Sequence, residues 1–302
     1  MKSGRNSRPA EWGKTPGAPE EIRFLHGPQT RSFELGRAIE IFFEFLRGFR
    51  TLHFVGPGVT VFGSARFPED HPYYGLGREL GARLARAGFT VMTGGGPGLM
   101  EAVNRGAKDV GGRSVGCNIE LPQEQKPNAY LDRWITFRHF YVRKVMLVKY
   151  SYAFVALPGG FGTLDEIFET ATLIQTGKIL DFPLILMVRE FWQPLLEFME
   201  TRLVREGTVD PADPKRLLVT DSPGEAVESI LEAATRRFGL TYEPPIRRRW
   251  LLWERAGLRN GRDAPRSPDP PPPVRSRAVG GRPTPARGGP GPEDQPSGTR
   301  SR

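Results

Sequence analysis

From residue 34 to residue 242, short continuous apolar runs alternate with stretches whose apolar residues recur at helical spacing. A long helix is predicted over RSFELGRAIEIFFEFLRGFRTL. Strands follow in GVTVFGS, TVMT, RSVGCNI, WITF, SYAFVAL, FPLILMV and RLLVT. Between them YYGLGRELGARLARAGF, GLMEAVNRGAKDVGG, HFYVRKVMLVKY, Gly162 to Thr176 and EFWQPLLEFMETRLVREG read as helices, and SPGEAVESILEAATRRFG as a last helix capped by Ser222. Strands that are apolar throughout, rather than alternating, belong to a parallel sheet covered on both faces. The pattern therefore predicts one α/β domain, a doubly wound parallel sheet over residues 34–242.

The ends read differently. Residues 1–33 are polar and without periodicity and are expected to be disordered, and residues 243–302 form a basic Pro/Gly/Arg-rich tail expected to be largely disordered. RRRWLLWERAGL, at the head of the tail, has the pattern of a short amphipathic helix. The net charge of +9 is concentrated there: residues 1–33 carry +3 and residues 247–302 carry +8, which leaves the middle at −2. A nucleic-acid partner is therefore not expected, and the basic tail reads as a solubilising arm. With a single cysteine, Cys117, no intrachain disulfide can form, and no Cys/His cluster has metal-ligand spacing, so no metal is expected. Without an apolar leader or a run of about 18 apolar residues, the expectation is a soluble, cytoplasmic chain with no membrane partner.

In a doubly wound sheet, ligands bind where strands end and helices begin. Three such junctions are rich in small residues: FGSARF after the first strand, TGGGPGLMEA after the second and LPGGFGTLDE after the fifth. Small residues let a ligand approach backbone N–H groups, which suits an anion. The spacing departs from both nucleotide fingerprints. Gly94, Gly96 and Gly98 give G-x-G-x-G in the second unit, not G-x-G-x-x-G in the first, and Gly177-Lys178 is followed by Ile179 where a P-loop needs Ser or Thr. A single phosphate fits better. At the second junction the glycines serve equally well as spacers for a tight connection. At LPGGFGTLDE, Thr163 offers a hydroxyl at the helix start and Glu166 falls one turn beyond it, near the sugar of a bound nucleotide. Asp165 reads as a partner of the helix dipole, and Glu169 as a solvated residue or one that supports Glu166. Arg138, His139, Arg143 and Lys144 crowd the start of another helix, where the dipole disfavours cations, so an anion or an ion-pair network with Glu166, Asp165 or Glu101 is expected beside them.

At these residues the sequence resembles the LONELY GUY (LOG) family, once labelled lysine decarboxylases. Its PGGxGTxxE motif is matched by Pro158 to Glu166, and the resemblance runs through FGSAR, TGGGPGLMEAVNRGA, GCNIELPQEQKPNAY and FYVRKVMLVKYSYAFVALPGG. The resemblance implies a Rossmann-like fold, a homodimer or higher homo-oligomer, and hydrolysis of the N-glycosidic bond of a nucleoside 5'-monophosphate, with AMP and cytokinin riboside monophosphates as candidate substrates. It implies Glu166 and Arg143 as the catalytic pair. The candidate substrate-binding residues are Gly159, Gly160, Phe161, Gly162 and Thr163, with Lys144, Ser64, Phe140, Gly95, Gly96, Gly98 and Glu101. No cofactor is implied. Where much of the family has a Glu two residues before the Lys of its Arg-Lys pair, this chain has Val142, which bears on base preference. The alternative is a non-catalytic protein of the same fold that binds a nucleotide or a pterin-type cofactor.

Overall fold

A computed structural model of the chain describes residue 24 and residues 27–120, 127–180 and 182–236. The tail and the short helix expected at its head lie outside the described residues, as do residues 1–23. Every predicted strand and helix from residue 31 to residue 236 is present. Helix α1 spans Arg31–Leu52, the stretch RSFELGRAIEIFFEFLRGFRTL predicted as a long helix. The order continues β1 (Gly58–Phe62), α2 (Pro72–Arg86), β2 (Thr90–Thr93), α3 (Leu99–Asp109), β3 (Ser114–Ile119), β4 (Arg133–Phe137), α4 (Phe140–Lys149), β5 (Ser151–Ala156), α5 (Phe161–Gln175), β6 (Leu184–Met187), α6 (Arg189–Phe198), β7 (Leu217–Thr220) and α7 (Pro223–Arg236).

Local chemistry explains several boundaries. His71 starts α2 by accepting the Tyr73 N–H on Nδ1 at 3.2 Å, with Pro72 at the first helical position. Ser222 caps α7 as expected, its Oγ accepting the Glu225 N–H at 3.3 Å. The single helix predicted over EFWQPLLEFMETRLVREG divides. Pro194 lacks an N–H for the helical ladder of α6, and from Met199 to Val204 the bonding widens to a π-helical turn.

All seven strands are parallel, in the order β4-β3-β2-β1-β5-β6-β7. The chain winds outward from β1 in one direction through β4, then returns to the other side of β1 with β5. Between β1 and β5 the winding reverses, which opens a crevice at their carboxyl ends. Side chains alternate across the sheet. Val59, Val61 and Val155 pack with Leu80 and Leu84 of α2, Val103 of α3 and Ile230 of α7, whereas Phe62, Met92 and Phe154 pack with Leu52 of α1, Met146 of α4, Ile167 of α5 and Trp192 of α6. Helices α2 and α3 touch backbone to backbone: a Cβ on Gly81 would lie 2.0 Å from the Val103 carbonyl oxygen, and one on Gly106 would lie 1.8 Å from that of Arg78. On the other face, Leu35, Ile39, Phe42, Phe43, Leu46 and Phe49 form an exposed apolar stripe along α1. Among the described residues no helix is long and apolar enough to cross a membrane.

Candidate active site

The crevice at the β1–β5 reversal holds a cavity of 680 Å³. Its walls come from the turn after β1 (Gly63 to Phe67), the turn opening α5 (Gly159 to Thr163) and the first turn of α4 (Phe140, Arg143). The β1 turn is fixed against the β5 turn by the Ser64 N–H, which donates to the Pro158 carbonyl at 3.0 Å. A second cavity, of 570 Å³, is walled mainly by apolar side chains such as Ile179, Leu180 and Phe182 near the start of β6, and has none of these turns.

The start of α5 is an open anion seat. Gly160 occupies the N-cap with no side chain to cap the helix, and the Thr163 and Leu164 N–H groups close the first turn onto its carbonyl at 3.0 Å. The N–H groups of Phe161 and Gly162 have no partner among the described residues, as expected for the first amides of a helix. A Cβ on Gly160 or Gly162 would meet nothing within 4 Å, so the space over these amides is free. A Cβ on Gly159 would lie 2.0 Å from Thr163 Oγ1, so this glycine makes room for a hydroxyl that has no hydrogen-bond partner among the described residues. Exposed N–H groups, the positive helix end and a free hydroxyl together suit one phosphate.

One helical turn below Thr163, on the same buried face of α5, lies Glu166, 2% exposed. Arg143 reaches it from α4, its guanidinium bonding Glu166 Oε1 at 3.3 Å and, through Nε, the Cys117 carbonyl at 2.8 Å. Arg143 lines the cavity and Glu166 sits directly behind it. The second carboxylate oxygen, Oε2, takes no hydrogen bond from a described residue. Burial pushes the Glu166 carboxyl up to about 7; the Arg143 and Lys144 charges pull it down, and Glu169 and Asp165 push it up again. Lys144 is occupied elsewhere, donating to Asp165 at 2.8 Å and forming an ion pair with Glu169 at 2.6 Å. The expected ion-pair network is thus divided, with Arg143 on the buried carboxylate and Lys144 on two outer ones. His139, Arg138 and Glu101 stand apart: buried His139 bonds Glu44 of α1, Arg138 lies 3.5 Å from Glu120, and Glu101 accepts from the Tyr74 hydroxyl at 3.1 Å.

Of the residues singled out from the sequence, Ser64, Phe140, Arg143, Gly159, Gly160, Phe161, Gly162 and Thr163 line the cavity. Glu166 backs it, and Lys144, Gly95, Gly96, Gly98 and Glu101 do not line it. The second glycine turn is instead held by protein: Asn128 donates to the carbonyls of Gly95 and Gly96, and a Cβ on Gly98 would lie 2.6 Å from the Ser64 carbonyl oxygen. From that turn Gly94 borders the cavity, and a Cβ there would approach an Arg143 guanidinium nitrogen to 3.1 Å. Sequence reasoning missed Arg66, Asn118 and Phe191. Arg66 was within its reach, inside the FGSARF junction. Phe191 was not, because no glycine marks its turn. That turn runs through Val188, the one non-glycine residue with positive φ among the described residues, at φ 79° and ψ 80°. A β-branched residue held there costs on the order of 1–3 kcal/mol.

Cys117 is buried and its thiol is pushed up to about 12 by burial, so it offers no nucleophile. Among the described residues no group of three or more His, Cys, Asp or Glu is placed to hold a metal ion.

Residues 100–230 match the family model described as "Possible lysine decarboxylase". The chain is 31% identical over 177 residues to the cytokinin riboside 5'-monophosphate phosphoribohydrolase of Rhodococcoides fascians, covering 57% of this chain and 88% of that protein. It is 30% identical over 164 residues to the Arabidopsis thaliana cytokinin riboside 5'-monophosphate phosphoribohydrolase LOG1, covering 52% of this chain and 75% of that one. Among solved structures, the molybdenum cofactor binding protein of Rippkaea orientalis is similar with a TM-score of 0.44 and 23% identity, over 58% of this chain and 94% of that one. With PGGxGTxxE intact from Pro158 to Glu166, and a bacterial relative matched over most of its length, the chain belongs to the LOG family.

Proposed function

We propose that this protein hydrolyses the N-glycosidic bond of a nucleoside 5'-monophosphate, releasing the free base and ribose 5-phosphate. The observation that carries the reading is the Arg143–Glu166 pair, buried one helical turn from an uncapped helix start that suits a single phosphate. The names of the matched relatives support cytokinin riboside monophosphates as substrates, and AMP is the parent of that class. Breaking the bond to the base builds positive charge on the ribose, as in glycoside hydrolysis. A carboxylate next to that carbon stabilises the charge or orients the attacking water. Glu166 supplies it, through the oxygen that Arg143 leaves free. Arg143 holds the other oxygen and favours the ionised carboxylate, partly offsetting the burial that favours its neutral form. The phosphate on α5 fixes the sugar over this pair, so the binding of a remote group is used to orient the reacting one.

The α1 stripe supports self-association as a homodimer or larger oligomer, which light scattering of the full chain tests directly, with a monomer as the contrary result. The activity is tested by incubating the protein with AMP, isopentenyladenosine monophosphate and adenosine and separating the products by chromatography. The expected outcome is free base from a monophosphate and little from adenosine, which lacks the group that α5 holds. Absence of base from both monophosphates overturns the reading; binding without release would leave a nucleotide-binding protein.

A further inference from the structure

The cavity has two chemically different sides. The α5 turn, Arg143 and the Glu166 behind it are polar and suit phosphate and sugar. Opposite chemistry comes from Phe140 and Phe191, large aromatic residues 46% and 39% exposed that both line the void. Neither ring belongs to the apolar cluster on either face of the sheet, and of a nucleoside monophosphate only the base has a flat, weakly polar face that an aromatic ring can cover.

Phe191 is the more elaborately held of the two. The left-handed backbone at Val188 turns the chain sharply after β6, and the Val188 carbonyl accepts the Phe191 N–H at 3.1 Å. The next residue, Trp192, is buried and donates from its indole N–H to the Met187 carbonyl at 2.9 Å. Its ring meets that of Phe191 edge to face, with centroids 4.8 Å apart and planes at 84°. On the other flank the Arg189 N–H is held by Asp221 at 2.7 Å. Strain kept at one residue and a buried anchor beside it leave the Phe191 ring in a defined place before any ligand arrives.

We infer that Phe191 is a specificity-determining residue that contacts the base of the bound nucleotide. This rests on the reading of the site as one for a nucleoside 5'-monophosphate. Phe191 is a stacking surface and not a hydrogen-bonding one, so it favours purines, and purines carrying apolar substituents, over smaller pyrimidines, and leaves the sugar phosphate untouched.

The test compares two ligands that differ only by the base. Binding of AMP and of ribose 5-phosphate is measured by calorimetry on full-length protein carrying Glu166→Gln, so that nucleotide stays intact, with Phe191 unchanged or replaced. Phe191→Ala is expected to weaken AMP about tenfold or more while ribose 5-phosphate changes less than about twofold. Phe191→Tyr, which keeps the ring face, is expected to restore AMP affinity, and Phe191→Leu, which keeps bulk alone, is expected not to. If the Ala variant proves unfolded by its melting curve, the Tyr and Leu pair decides. Equal weakening of both ligands, no change in either, or full rescue by Leu overturns the inference. The hydrolytic reading is judged separately: wild-type protein that binds AMP and releases no base ends that reading and leaves the binding comparison standing.

Discussion

Two turns in this molecule look alike in sequence, TGGGPG at the end of β2 and LPGGFG at the end of β5, and they are built for opposite purposes. At the first, glycines admit protein. Gly98 lets the turn cross against the Ser64 carbonyl, Asn128 caps the carbonyls of Gly95 and Gly96, and no room is left for a ligand over Gly98. At the second, Gly160 and Gly162 face open space, their helix start is uncapped, and a buried carboxylate stands one turn below. Glycine enrichment marks a close approach to backbone; only the surroundings say what does the approaching.

Substitutions can break this contrast. Among the residues around Glu166, the largest effect is expected at Arg143, which ties the two sides of the site together. Arg143→Ala should lower kcat for base release roughly a hundred- to a thousandfold, measured by chromatography, because Glu166 then stays buried without its cation.

Next comes the titration of Glu166 itself. Its folded-state pKa, about 7, lies above its ordinary value of 4.5, so the folded protein holds the proton more tightly than the unfolded chain. The contribution of this group to stability is therefore fully present below about pH 4.5 and is lost as pH rises through 7. The shift corresponds to on the order of 3 kcal/mol. Melting curves from pH 5 to pH 8.5 should show wild type losing stability relative to Glu166→Gln as pH increases, and a difference independent of pH would contradict the burial argument.

Gly98→Ala should then cost about 2 kcal/mol or more, read as a fall in melting temperature, because φ is 68° and the new methyl meets a carbonyl oxygen. The smallest change in stability belongs to the matching substitution at the other turn. Gly160→Ala should alter stability by less than about 0.5 kcal/mol, since nothing lies within 4 Å, yet raise KM for nucleotide about tenfold by placing a methyl over the phosphate seat. If Gly160→Ala destabilises and Gly98→Ala does not, the assignment of the two turns is reversed.

The strands and helices were legible because continuous apolar runs and helical periodicity are properties of one stretch of chain at a time. The junction after β5 was legible for a similar reason: PGGFGTLDE carries turn, hydroxyl and carboxylate within nine residues, so the one-turn spacing of Thr163 and Glu166 follows from helix geometry. Arg143 could be named from its helix and from resemblance, but its bond to Glu166 depends on β5 returning beside β1. Glu101 and Gly98 illustrate the limit. Each sits in a motif with the right composition, and only the packing of α2 against α3 and of one turn against another shows that Tyr74 and Ser64 occupy the space beside them. Phe191 was invisible because its signal is a backbone angle at Val188, a residue that in sequence simply ends an apolar strand.

The division between Glu166 and its neighbours tests the account most directly. Base release from isopentenyladenosine monophosphate should be timed for wild type, Glu166→Gln and Glu169→Gln, all confirmed as folded by their melting curves. Loss of about a thousandfold in kcat is expected for Glu166→Gln, with Glu169→Gln within a few-fold of wild type. A Glu166→Gln variant that releases base at the wild-type rate would contradict the assignment of this carboxylate to the reaction.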